Sequence, residues 1–333
     1  MNPSHRKIRY GILGFGLFAE RAIAPAIRAS ANSELVAVQK RSLVAAQKKA
    51  EELSIPLAFG STKELVSHPD IDAVYIVSAN AFHCPETLLA ARARKHVLVE
   101  KPMAMKAAEC RAMIAACKKY GVKLMVGHML RLSPLVRRMR DIVRSGMIGE
   151  ITSARADFIY DSRVSQRAWL FDRKIAGGGP VYDIGVHGLD TLRFVLDDEV
   201  VSTKSDLFPK PTAIRTEASA NILLRFSRGT IATINCSFVA PLRRTYIEFI
   251  GTKGIISAYT FTQNNATVYL NITMGKDGRE EPAKTEEVFV TNLYVDQVSS
   301  FSRNILEDSE PFAPGSVGLK NQIVLDAAMR GGK

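Results

Sequence analysis

Over residues 1–126 short apolar runs alternate with helix-like stretches, and this rhythm limits the possible folds more than any other feature of the chain. The runs are Lys7–Leu13, Glu34–Gln39, Ala58–Phe59, Ala73–Val77, His96–Val99 and Lys123–Val126. Helical patterns fill the gaps: from the glycines after Leu13 to about Ser30, then Leu43–Leu53, Lys63–Val66, Pro85–Arg94 and Ala107–Tyr120. Apolar runs this short, each followed by a crossover helix, predict a parallel, doubly wound α/β sheet.

Beyond about residue 130 the pattern changes. Helices are expected near Pro134–Ser145, Gly185–Leu196, Tyr294–Glu307 and Gly315–Arg330. Between them lie longer alternating segments: Ile151–Tyr160, Arg215–Phe226, Thr230–Phe238 and Thr245–Ile250. Turns are expected at Arg228-Gly229 and Gly251-Thr252-Lys253-Gly254, which points to a mostly antiparallel sheet. The expected division is therefore 1–130 and 131–333, in keeping with a length of 333 residues.

The formal net charge is +12, but the basic residues are scattered and form neither a long tail nor a nucleic-acid motif. A solvated basic surface follows, with no nucleic-acid partner. No apolar signal core and no apolar run of about 20 residues is present, so a cytoplasmic protein without a membrane partner is expected. Cys84, Cys110, Cys117 and Cys236 form no CxxC pair and read as reduced core residues.

Gly14-x-Gly16-x-x-Ala19 follows the first strand and opens a helix. The first glycine permits a tight turn, the second lets backbone approach a pyrophosphate, and the small third residue lets helix and strand pack closely. Free N–H groups at the helix start suit a diphosphate, so Gly14, Phe15, Gly16, Leu17 and Phe18 are dinucleotide-contact candidates. The second strand ends in Gln39-Lys40-Arg41-Ser42 where NAD-binding folds place an acid for the ribose hydroxyls. Lys40 and Arg41 would attract a 2′-phosphate that an acid would repel, with Ser42 beside them. NADP(H) is the expected preference, with NAD(H) possible.

Glu100-Lys101-Pro102 lies past the fifth strand, on the side where such sheets bind ligands. Gly177-Gly178-Gly179-Pro180-Val181-Tyr182-Asp183-Ile184-Gly185-Val186-His187 follows in the second half; if its latter part is helical, Asp183 and His187 share a face. With the glycine loop, Asn80-Ala81-Phe82-His83, Gly127-His128-Met129-Leu130-Arg131 and Ile250-Gly251-Thr252-Lys253-Gly254, these segments resemble the glucose–fructose oxidoreductase / inositol dehydrogenase (Gfo/Idh/MocA) family over nearly the whole chain.

The resemblance implies a Rossmann domain followed by an α/β domain with a large open, mostly antiparallel sheet whose outer face serves homo-oligomerisation. It implies NAD(P)-dependent oxidation or reduction of a sugar, polyol or related small molecule without metal, with Lys101, Asp183 and His187 at the catalytic positions. The chemistry agrees. A histidine titrates near neutrality and can exchange a hydroxyl proton, while a lysine stabilises developing charge on the reacting oxygen. Asp183 would orient His187 or Lys101. Ser78, Asn80, His83, Glu100 and Lys101 are cofactor-side candidates. Arg131, Tyr160, Arg163, Trp169, Tyr182 and Asp190 are substrate-contact candidates, with core packing the alternative for Trp169 and Tyr182. Two other functions fit the same fold: an NAD-assisted glycoside hydrolase and a non-catalytic cofactor sensor. Lys40-Arg41 argues against the first, and the joint presence of Lys101, Asp183 and His187 against the second.

Overall fold

The computed structural model describes residues 6–163, 167–276 and 278–331. The chain divides into two compact units, Met1–Met129 with Tyr294–Gln322, and Leu130–Leu293 with Ile323–Lys333.

Among the described residues the first unit contains a six-stranded parallel sheet: β1 (Ile8–Leu13), β2 (Ser33–Gln39), β3 (Leu57–Phe59), β4 (Ala73–Ile76), β5 (His96–Val99) and β6 (Leu124–Val126). Their order is β3-β2-β1-β4-β5-β6, that of a dinucleotide-binding Rossmann sheet. The central strands are buried on both faces, which is why they read as continuous apolar runs. Alternate residues feed two cores. Tyr10, Ile12, Tyr75 and Leu98 join one with Ile23 and Ile27; Val74, Ile76, Val97 and Val99 join the other with Cys110 and Met113.

The helices of this unit are α1 (Ala24–Ala29, preceded by a π-turn, Ala19–Ile23), α2 (Leu43–Glu52), α3 (Thr62–Ser67), α4 (Asn80–Arg92) and α5 (Ala107–Tyr120). Ser42 caps α2, and Ser61 with Glu64 forms a capping box on α3. Helix α4 starts ahead of Pro85, the expected first residue, so Asn80 and His83 stand on its opening turns rather than in a loop. Proline removes one donor, the bond toward Ala81, and the helix carries on through that loss.

The second unit holds α6 (Pro134–Arg144), α7 (Arg173–Ala176), a π-turn (Val181–Gly185) and α8 (Val186–Leu196). Among the described residues it forms a nine-stranded sheet: β7 (Ile151–Asp161), β8 (Val200–Phe208), β9 (Ser219–Phe226), β10 (Ile231–Ser237), β11 (Val239–Gly251), β12 (Gly254–Tyr259), β13 (Ala266–Lys276), β14 (Arg279–Glu280) and β15 (Lys284–Val290). All pairings are antiparallel except β7 with β10. β8, β12, β13, β14 and β15 are additions to the strands expected from the pattern. Ala154, Ala156, Ile234 and Ile247 face the core, and Ala156 and Ile234 lie against Gly188 of α8.

A division at 130/131 misses the return of the chain. α9 (Leu293–Leu306) lies almost wholly in the first unit, and α10 (Gly315–Met329) begins there and ends in the second. On α9, Ser302 Oγ lies 2.8 Å from the Tyr10 hydroxyl, and Gln297 donates to the Tyr75 hydroxyl at 2.6 Å. The four cysteines are free thiols, three of them buried. Among the described residues no helix is long and apolar enough to cross a membrane.

Candidate active site

In the first unit the glycine turn and the end of β2 are tied together. Gly14 has φ +76° and lies so close to Ser78 that a Cβ would stand 2.5 Å from the Ser78 Cα. Only glycine fits there. The Gly14 N–H donates to Gln39 Oε1 at 3.1 Å, and the Phe15 N–H to the Gln39 carbonyl at 2.9 Å. Lys40 Nζ donates to the Phe15 carbonyl at 2.7 Å, holding a cation on the loop. Phe15 is buried, whereas Leu17 and Phe18 are exposed and Phe18 meets Tyr294 edge-on. Arg41 is exposed. A Cβ on Gly16 would meet only the Gly14 carbonyl, at 3.9 Å, so this side of the turn is open. An open glycine turn at a helix start, with a cation and no acid at the strand end, fits a dinucleotide.

The turns after β4 and β5 are braced from below. His83, 1% exposed, sets Nδ1 2.9 Å from the Pro102 carbonyl and Nε2 2.9 Å from the Ser78 carbonyl. It therefore braces the Lys101 turn against Ser78 instead of lining a cofactor surface. Burial lowers its pKa, against the pull of the two carbonyls. Ser78 Oγ donates to Glu86 Oε2 at 2.6 Å, and burial raises the pKa of that carboxyl. Asn80 is buried at the start of α4. Glu100 accepts from the Tyr75 hydroxyl at 2.7 Å and from the Lys101 N–H at 3.3 Å. Tyr75 in turn accepts from Gln297, so Glu100, directly ahead of Lys101, is anchored through a buried chain to α9.

In the second unit the π-turn and α8 present Asp183 and His187 at the inner face of the sheet. Asp183 is buried and its carboxylate is engaged by two groups. Arg167 donates to Oδ2 at 3.1 Å and to Oδ1 at 3.3 Å, and the Tyr160 hydroxyl donates to Oδ2 at 3.2 Å. Arg167 also donates to the Tyr160 oxygen at 2.8 Å. Burial and the Asp183 charge push the Tyr160 hydroxyl up to about 12, while Asp183 raises the Arg167 pKa. The half-buried His187 lies against the Phe158 ring, centroids 6.1 Å apart.

The remaining substrate candidates separate clearly. Arg131 forms a bidentate pair with Asp190 at 2.9 Å and stacks over Phe194, so the two residues occupy one another. Arg163 pairs with its neighbour Asp161 at 2.8 Å in an exposed position. Tyr182 is buried and donates to Asp326 at 3.1 Å, which gives it the packing role. Trp169 is half-buried in a short 3-10 turn, Ala168–Phe171.

Sequence reasoning passed over Arg167 and Glu217. Glu217 is fully buried just ahead of β9, and its Oε1 accepts from Gly179 at 2.8 Å and from Val181 at 3.2 Å, at the mouth of the π-turn. A Cβ on Gly179 would stand 2.2 Å from the Glu217 carbonyl, which explains a glycine there. Neither residue lies at a motif spacing from Asp183; an acid directly before an apolar strand was the one local signal. Glu217→Ala leaves two buried N–H groups without acceptors and is expected to cost at least ~2 kcal/mol, read as a lower urea midpoint. An unchanged midpoint would reject the capping role. Burial raises the Glu217 pKa against the pull of these N–H groups. A carboxyl raised on folding adds stability below its unfolded pKa and loses that contribution as pH rises through the folded value. The stability of the wild type relative to Glu217→Gln is therefore expected to fall as pH rises from the ordinary glutamate range toward neutrality.

Comparison with known proteins agrees with this architecture. Residues 8–128 match the model of an oxidoreductase family with an NAD-binding Rossmann fold, and residues 136–257 that of the GFO/IDH/MocA C-terminal domain. The chain is 34% identical to a 1,5-anhydro-D-fructose reductase of Ensifer adhaerens, covering 93% of this chain and 92% of the relative. It is 30% identical to an NADP(+)-dependent D-xylose 1-dehydrogenase of Haloferax volcanii, covering 91% and 90%. The crystal structure of an aldose-aldose oxidoreductase from Caulobacter crescentus complexed with glycerol superposes with a TM-score of 0.86 at 30% identity, over 98% of this chain and 97% of that one. With both family models matched in order and relatives aligned along nearly its whole length, the chain belongs to the Gfo/Idh/MocA family of oxidoreductases.

Proposed function

We propose that this oxidoreductase uses NADP(H) to interconvert a hydroxyl and a carbonyl on a sugar, polyol or sugar-derived small molecule. When bound, the nicotinamide supplies the hydride acceptor or donor. Lys101 hydrogen-bonds the reacting oxygen and stabilises negative charge developing on it. His187 takes the hydroxyl proton in oxidation and returns it in reduction. Asp183 acts with Arg167 and Tyr160: its charge is neutralised and fixed in direction, so the helix start that carries His187 keeps one geometry. Glu217 holds the backbone of that same start. The reductive direction is favoured slightly, because NADPH generally serves as a reductant. The 1,5-anhydro-D-fructose reductase and D-xylose dehydrogenase relatives support a sugar-type substrate.

The observation that carries the NADP(H) reading is the Lys40 ammonium held 2.7 Å from the Phe15 carbonyl, with Arg41 exposed beside it and Gln39 in place of an acid. A phosphate meeting such cations gains charge-assisted bonds of ~1.5–3 kcal/mol each. Fluorescence titration is expected to give at least ~10-fold tighter binding of NADPH than of NADH, and Arg41→Ala to remove most of that difference. Equal or tighter NADH binding would overturn the cofactor assignment. Net conversion of added cofactor separates this reading from redox-assisted glycoside hydrolysis, in which none accumulates.

A further inference from the structure

From Thr245 onward on β11 the buried side chains are Thr245, Ile247 and Phe249, so in this regular stretch the odd positions face the core side of the sheet; ahead of it Ala240 is buried instead. The ladder with β7 shifts between Val239 and Arg244, leaving the intervening residues outside the regular pairing. Arg243 lies in this irregular segment and is exposed. Its guanidinium sits over the Phe158 ring, 5.2 Å from the centroid, and the same ring meets His187 at 6.1 Å. Arg243 and His187 thus share one aromatic neighbour.

The bonding of Arg243 differs from that of the other arginines near this face. Arg167 is taken by Asp183, Arg131 by Asp190 and Arg163 by Asp161. Among the described residues Arg243 pairs with no carboxylate; its other contact is a long bond to Thr262 Oγ1 at 3.4 Å. It is exposed, yet the ring holds it in place. Adjacent in sequence, Arg244 faces the opposite way, paired across from Ile159 and stacked on Tyr259 at 5.3 Å.

We propose that Arg243 is a specificity-determining residue that receives an anionic substituent, a carboxylate or phosphate, on a sugar bound at His187. This rests on the proposed sugar oxidoreductase function and deepens it by naming the substrate class as acidic sugars. A guanidinium presents a planar fork of donors that matches either anion in two-point fashion. An arginine already paired with an acid cannot do this without breaking that pair. Phe158 beneath it limits its rotamers, which lowers the entropy lost when an anion binds.

The test uses the full chain saturated with NADP+, titrated with D-glucose, D-glucuronate and D-glucose 6-phosphate. At low salt at least one acidic sugar is expected to bind about tenfold tighter than D-glucose, and the ratio to shrink as ionic strength rises. Whichever acid is preferred tells carboxylate from phosphate. Arg243→Gln is expected to bring the ratio to near one, Arg243→Lys to keep part of it, and Arg244→Gln to leave it as in the wild type. A wild-type ratio near one, or a preference that survives in Arg243→Gln, overturns the proposal. NADPH formation from the same sugars is followed separately. Acid-selective binding that depends on Arg243, without any hydride transfer, would remove the catalytic reading and leave the anion site standing.

Discussion

Lys101→Ala and His187→Ala are each expected to lower turnover by at least ~100-fold, the scale of a lost acid–base group. The two losses differ in pH dependence. In the proposed mechanism His187 is the group that exchanges the proton, so its removal should flatten the corresponding limb of the kcat profile. Lys101→Ala should lower the plateau and leave the limb, because a lysine that stabilises charge on oxygen acts without changing its own protonation. The double variant is expected to lose less than the product of the single losses if, as proposed, both groups act on one oxygen. NADPH affinity of His187→Ala, read by fluorescence, serves as the control for folding. Single variants that turn over at near-normal rates would remove these residues from the chemistry.

Arg167→Met is expected to lower kcat ~10- to 100-fold with a smaller change in cofactor binding. Removing the guanidinium takes the counter-cation from the Asp183 carboxylate, at 8% side-chain exposure, and leaves the Tyr160 hydrogen bond in place. A buried charge that loses its cation is destabilised by several kcal/mol when fully desolvated. Here the Arg167 side chain keeps 42% of its exposure, so solvent screening brings the effect down to ~1–3 kcal/mol. Tyr160→Phe tests the other arm: it removes one hydrogen bond from the same carboxylate and leaves the ion pair, so its loss should be smaller. Equal rates in wild type and Arg167→Met would mean that the network only packs the fold.

The parallel sheet was legible because its strands are short and its central ones are buried on both faces, so a short apolar run sufficed. β8 and β15 were not, since most of their side chains face solvent and the pattern left few apolar positions to count. Glycine turns were legible for a related reason: backbone geometry demands one residue type, as the Gly14 contact with Ser78 does. Pairings distant in the chain were hidden. Arg131 and Asp190 both stood out as polar groups near the catalytic segment, but nothing local says that they bond each other. Arg163 was singled out and Arg167 passed over, although the two are four residues apart in the sequence; only the folded chain gives Asp183 to Arg167 and Asp161 to Arg163. His83 was placed at the right turn with the wrong task, because a sequence does not tell a buried brace from a lining residue.

The return of α9 and the start of α10 to the first unit sets an order on events at the ribosome. When residue 129 has emerged, the six strands of the parallel sheet exist, but Tyr75 lacks Gln297, Tyr10 lacks Ser302 and one apolar face lacks Val298 and Phe301. Those partners are synthesised only after the whole antiparallel sheet. Domains generally fold as units during synthesis, earliest from the N-terminus. In this protein the N-terminal unit is begun first but completed only after the sheet of the second unit, with its open face exposed to chaperones and wrong partners for the time needed to translate the residues between.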